Sequence, residues 1–251
     1  MTGKEAPMYL GGIDIFYVLL VLPAALLSLL ASAMVKSRYA KYNKVMASRG
    51  VSGAQAAQIL LKANGITDVR IAHISGKLTD NYNPKTKVLS LSDSTFASRS
   101  VAAVGVAAHE TGHAIQHNVG YAPLVIRRML VPVANFGSRF GPTLAIFGIV
   151  LGAVASLEQY IPIFQIITDV GLLLFGASMI FYIITLPVEF NASRRALKIL
   201  KETNTLVSKD EIKGARKVLT AAALTYVASA LTAIGSFLRL LLIANSRRSR
   251  R

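Results

Sequence analysis

The sequence predicts a mainly α, multi-pass membrane protein: transmembrane helices plus a small α+β domain on the cytoplasmic side. Three observations lead there. Hydrophobic residues make up 53% of the chain and charged residues only 16%, which sets it apart from ordinary soluble domains. The apolar residues gather into long stretches, with lysine and arginine concentrated at their borders. Between them lies an Ala-rich, proline-free segment, SVAAVGVAAHETGHAIQH, that places His109, Glu110 and His113 at helical spacing.

The first element is residues 15–35, IFYVLLVLPAALLSLLASAMV, uncharged and long enough to cross a bilayer despite Pro23. Ala31-Ser32-Ala33 has the small-residue look of a signal cleavage site, but the apolar run is long and the basic cluster behind it resists export. Residues 36–139 then form the small domain. Ser52 opens the apolar-periodic helix SGAQAAQILLKANG, closed by Gly65. VRIAHIS and KVLSLS read as strands, joined through the turn signal NPKT. Asp93 or Ser94 is expected to cap the helix that leads into the His109 motif.

Residues 140–157 and 163–186 are two apolar stretches separated only by EQYIP, which predicts a transmembrane hairpin over 140–186. Pro187 suits the first turn of a new helix over 187–217, with Glu189 in that turn. The chain closes, over 218–251, with a fourth apolar stretch, Val218 to Leu238, and the basic tail RRSRR. Thr220, Thr225, Tyr226, Ser229, Thr232 and Ser236 interrupt that stretch, and Arg239 favours a segment that turns or lies in the interface over one that spans fully.

Lysine and arginine set the orientation. Lys36, Arg38, Lys41, Lys44 and Arg49 follow the first helix, whereas only Lys4 precedes it, so the positive-inside rule places residues 36–139 in the cytoplasm. Arg127, Arg128 and Arg139 before the hairpin, Arg194, Arg195 and Lys198 after it, and Glu158 in its turn agree.

His109-Glu110-Thr111-Gly112-His113 is an HExxH motif. Histidines at i and i+4 share a helix face, so both rings reach one zinc ion, with the glutamate beside the open coordination position as general base. The bland alternative is a helix with two structural histidines. The third ligand must come from the same side of the membrane, and Glu189 in LPVEFNASRRA is the candidate, against a carboxylate that merely favours a helix N-terminus or pairs with Arg194. His117 continues the histidine series, but it lies about 12 Å along the axis from His109, too far to share the ion. That leaves it a supporting residue, a substrate contact or a plain surface histidine, and His73 reads as a strand residue. Tyr82, His117, Arg194 and Arg195 are the candidates for stabilising an oxyanion. KVLSLS or LTDNYN is the candidate edge strand for holding a peptide by strand addition.

GKLTDNYNPKTKVLSLS, GVAAHETGHAIQH and LPVEFNASRRA, in this order around apolar stretches, resemble the YugP-type membrane-bound neutral zinc metallopeptidases of bacteria. A more distant likeness is to the HtpX and CAAX-processing membrane proteases. The resemblance implies a zincin-like, gluzincin-like domain with one Zn2+ per chain held by His109, His113 and Glu189, and Glu110 as the catalytic base. Asn83 and Asn191 depart from it, standing where aspartates are expected.

The function that follows is a zinc-dependent endopeptidase of the bacterial plasma membrane, its site on the cytoplasmic side, hydrolysing membrane or misfolded polypeptides through a zinc-activated water. The alternatives are a zinc-binding membrane scaffold without proteolytic turnover, and a basic membrane anchor with an accidental motif. The net charge of +16 invites a nucleic-acid reading, but the basic residues sit at membrane borders and in the tail, which favours anionic lipid as partner and no nucleic acid. Self-association into a homo-oligomer is left open. With no cysteine there is neither a disulfide nor a thiolate metal site.

Overall fold

The computed structural model describes residues 9–10, 13–154 and 159–248. A short antiparallel pair, β1 (Tyr9–Leu10) and β2 (Ile13–Asp14), leads through a π-helical turn at Tyr17–Val21 into α1 (Leu22–Asn43). There follow α2 (Gly53–Ala63), β3 (Arg70–Ile74), β4 (Asn81–Asn83), β5 (Val88–Ser92), α3 (Val101–Asn118), α4 (Ala122–Leu151), α5 (Ile161–Glu202) and α6 (Lys209–Arg248). Among the described residues, three helical segments are long and apolar enough to cross a membrane: Tyr17–Asn43, Ile161–Glu202 and Lys209–Ser246. The fold is therefore mainly helical with a small mixed sheet, as the composition predicts.

Two boundaries differ from the sequence reading. Of the stretch at 140–157, residues 140–151 are the end of α4, which begins at Ala122 and is not among the three, and residues 155–157 lie outside the described residues. Arg127, Arg128, Asn135 and Arg139 upstream leave its apolar run short. Glu158, expected in the hairpin turn, and the last three residues of the basic tail lie outside the described residues. Pro187 does not start a helix. It lies inside α5, which runs unbroken to Glu202, so the missing proline N–H leaves one turn without its hydrogen bond but does not end it.

The chain forms two compact units. In the unit made of Met1–Leu29, Arg127–Ile184 and Val227–Arg251, α4 and α5 pack antiparallel through glycines. A β-carbon at Gly137, Gly141, Gly148 or Gly171 would fall within 3 Å of the other helix, so only hydrogen permits this approach. Ser178 Oγ donates across the pair to the Ala134 carbonyl at 3.0 Å. Arg239 favours a segment that turns or lies in the interface; the turn is excluded, since α6 continues through it, and its guanidinium sits on Asp14 Oδ2 at 2.6 and 2.7 Å. Pairing removes the cost of an isolated charge in an apolar helix.

The second unit, Leu30–Ile126 and Thr185–Tyr226, holds the sheet and the motif helix. Ser52 caps α2 in a reciprocal capping box with Gln55, and Gly65 ends the turn that follows at φ +67°. The sheet order is β3-β5-β4, with β3 parallel and β4 antiparallel to β5. KVLSLS is thus the central strand, paired on both edges and closed to strand addition, while Asn81–Asn83 is an edge. Leu89 and Leu91 of β5, Leu60 of α2 and Val101 and Val104 of α3 form a fully buried core beneath the motif helix. The cap of α3 is Ser100, whose Oγ accepts from Ala103 N at 3.1 Å and donates to Asn43 Oδ1 at 2.9 Å. Asp93 bonds His73 Nε2 at 2.6 Å and Gly76 N at 2.8 Å instead, seven residues too early to cap the helix.

Candidate metal centre

His109 and His113 stand one turn apart on α3, their rings in edge contact at a centroid distance of 4.8 Å. The helix they ride on lies so close to α5 that a β-carbon at Gly112 would be 2.5 Å from the Ala192 carbonyl oxygen. That closeness brings in Glu189, three residues before Ala192 on α5 and only 2% exposed. Its Oε2 lies 3.2 Å from His109 Nε2 and 3.5 Å from His113 Nε2.

These separations test the donor set against zinc. Two donors held about 2.0–2.1 Å from Zn2+ at a tetrahedral angle are about 3.3–3.4 Å apart. The observed 3.2 and 3.5 Å bracket that value, and the three ligand-capable atoms all lie within 4.8 Å of one another. Each imidazole is also held from behind: His109 Nδ1 meets Ser193 Oγ at 3.1 Å, and His113 Nδ1 meets Gln116 Oε1 at 3.0 Å. Back-bonded in this way, a histidine presents Nε2 to a metal.

Glu110 is 8% exposed on the same helix, and burial pushes its carboxyl above the usual range against the opposing pull of His109 and His113. At His113 burial pulls the imidazole down, but the hydrogen bond and charge of Glu189 outweigh it and the net shift is upward. His109 and Glu110 open onto a cleft of about 350 Å³, walled by Val35, Val106, Val218 and Ala222 with Lys36 and Asp80 among its polar groups. An HExxH helix, a distant buried glutamate and an adjoining cleft together match the arrangement expected of a metallopeptidase site.

The family described as "Putative neutral zinc metallopeptidase" matches residues 17–245. The chain belongs to the neutral zinc metallopeptidase family. It is 41% identical over 227 residues to "Putative membrane protease YugP" of Bacillus subtilis (strain 168), a match covering 90% of this chain and 96% of that protein. No solved structure matches the chain.

In this neutral zinc metallopeptidase the other singled-out residues go elsewhere. His117 lies outside the three-donor cluster, its Nδ1 bonded to Tyr82 Oη at 2.8 Å. Asn83 Oδ1 accepts from Lys85 N and Thr86 N and so shapes the turn after β4. Arg195 Nε donates to Asn191 Oδ1 at 2.8 Å. Gln116, Ser193 and Gly112 were not singled out in the sequence. The only trace of the first two is their spacing, three residues after His113 and four after Glu189, which by itself marks nothing more than a shared helix face.

Proposed function

We propose that the protein is a membrane-embedded zinc endopeptidase in which His109, His113 and Glu189 hold one Zn2+ and Glu110 is the general base. The observation that carries this reading is the convergence of both Nε2 atoms on the carboxylate of a residue 80 positions distant from His109, at zinc-compatible separations. When bound, the ion supplies a water of lowered pKa and polarises the substrate carbonyl. Glu110 would act as the proton carrier of the reaction, its carboxylate accepting a proton from the attacking water and returning it to the leaving amine. The edge strand Asn81–Asn83 offers main-chain hydrogen bonds to an extended substrate, and the apolar walls of the cleft take its side chains.

The substrates are membrane or misfolded polypeptides, and the site faces the cytoplasm of the bacterial plasma membrane. Supporting this are the three apolar helical segments, the basic residues Lys36, Arg38, Lys41 and Lys44 at the C-terminal end of the first, and the membrane-protease relative. The same residues favour anionic lipid headgroups, each contributing on the order of 1 kcal/mol near such a surface.

Metal analysis of the full chain in detergent tests the donor set. One zinc per chain is expected in the native protein, lost in both His109→Ala and Glu189→Ala. Zinc retained by Glu189→Ala would assign the third donor elsewhere, and a native chain without zinc would support the anchor reading. Acidity gives a second check. A ligand imidazole must be neutral, and the upward shift at His113 lets protons compete at a pH above the ordinary imidazole value. The zinc affinity, read against a competing chelator, should therefore weaken as pH falls through the range in which this imidazole takes up a proton. A zinc affinity that does not change with pH across that range would contradict His113 as a ligand.

A further inference from the structure

We infer that Gln116 and Asn191 form a neutral relay that locks His113 in the tautomer able to bind metal through Nε2. The inference rests on the ligand assignment proposed above.

Gln116 is fully buried on α3, and its amide bridges to α5. Its Nε2 lies 2.8 Å from the Val188 carbonyl oxygen and 3.0 Å from Asn191 Oδ1, and its Oε1 lies 3.0 Å from His113 Nδ1. An amide or imidazole taken alone leaves its donor and acceptor ends interchangeable. Here two groups of fixed polarity remove the choice. A backbone carbonyl only accepts, so the amide nitrogen of Gln116 must face Val188. A guanidinium only donates, so the oxygen of Asn191 must face Arg195 Nε, 2.8 Å away, and the same oxygen then accepts from Gln116. With its nitrogen committed on both counts, Gln116 presents Oε1 to His113. The imidazole must therefore carry its proton on Nδ1, which leaves the Nε2 lone pair directed at Glu189 and the metal position.

The contrast lies in the other histidine. His109 Nδ1 meets the Ser193 hydroxyl at 3.1 Å, and a hydroxyl can donate or accept. Nothing in that pair dictates the tautomer, so the lock belongs to His113 alone. Asparagine at 191 satisfies both donors, from Gln116 and Arg195, without adding a negative charge behind the ligand. Gln116 and Asn191 are positioning residues: neither faces the metal position, and both act through His113.

Zinc titration against a competing chelator, on the full chain in detergent, tests the relay. Gln116→Met should bind zinc about 10–100-fold more weakly than native protein. Asn191→Asp keeps the acceptor and should stay within a few-fold of native, while Asn191→Leu and Ser193→Ala should each weaken binding less than Gln116→Met. Proton NMR of the Co2+-loaded native chain reads the tautomer directly and needs no variant to fold. It should show His113 with an Nδ1–H that exchanges with water more slowly than that of His109. Zinc binding in Gln116→Met equal to native, or a His113 Nδ1–H that exchanges as fast as that of His109, overturns the relay alone. A native chain that binds no zinc overturns the ligand assignment and the relay with it.

Discussion

Glu110→Gln is expected to lower peptide hydrolysis by about 10²–10⁴-fold, the usual worth of a positioned general base, while zinc content stays at one per chain. The substitution is nearly isosteric and keeps the side chain among the same buried neighbours, so the fold has no reason to change. What it removes is the ability to accept a proton. A neutral amide cannot take one from water at any working pH, and the elevated proton affinity that burial gives the native carboxyl has no counterpart in the variant. A quenched fluorescent peptide library incubated with the detergent-solubilised chain reads the effect. Undiminished cleavage in the zinc-loaded variant would remove Glu110 from the chemistry. Native protein that binds zinc yet cleaves no peptide would favour the scaffold reading.

Gly112→Leu is expected to abolish zinc binding and to destabilise the unit around the motif by about 1–3 kcal/mol or more, the usual consequence of overpacking. In an exposed helix, exchanging glycine for a side chain with good helix propensity stabilises by up to about 1 kcal/mol. The sign reverses here because the first added carbon already lies 2.5 Å from the Ala192 carbonyl oxygen. Since Ala192 is flanked by Glu189, Asn191 and Ser193, pushing it away moves the third donor, the Ser193 hydroxyl behind His109 and the Asn191 amide behind Gln116 together. Gly105→Ala, on the same motif helix, is the control: its β-carbon would lie 3.3 Å from Ala215 Cβ of α6, a contact that yields with a small shift. Thermal unfolding with zinc analysis separates the two. A Gly112→Leu chain as stable and as zinc-replete as Gly105→Ala would mean that the α3–α5 approach is not needed.

The parts of this structure legible in the sequence are those written in local spacing. Uncharged length gave the apolar helices, and i, i+4 periodicity placed His109 and His113 on one face. The capping box at Ser52 and Gln55 and the glycine at 65 were equally local. What spacing could not show was pairing over distance. Two strands of similar composition, at 70–74 and 88–92, carry no mark of which becomes central, and the register was settled by the buried side chains of Leu89 and Leu91. Asp93 had the residue type of a cap, but its carboxylate was taken by His73 and Gly76, leaving Ser100 at the helix start. Pro187 points to a helix start because proline favours first turns, yet the flanking turns of α5 hold the helix across it. Gly112 sits in one of the two variable positions of HExxH, so the motif itself gives no hint that packing against Ala192 requires it.

The proposed metal donors are also separated in time. The ribosome adds residues at roughly 5–20 per second, so the 80 positions between His109 and Glu189 correspond to roughly 4–16 s of synthesis. Throughout that interval the nascent chain carries both histidines and Glu110 without the residue that completes the site. The relay behind His113 waits on the same segment, since Val188 and Asn191 flank Glu189. On the proposed assignment, the donor set is therefore complete only once the chain has been made past Glu189 and Asn191 and α5 has docked on α3.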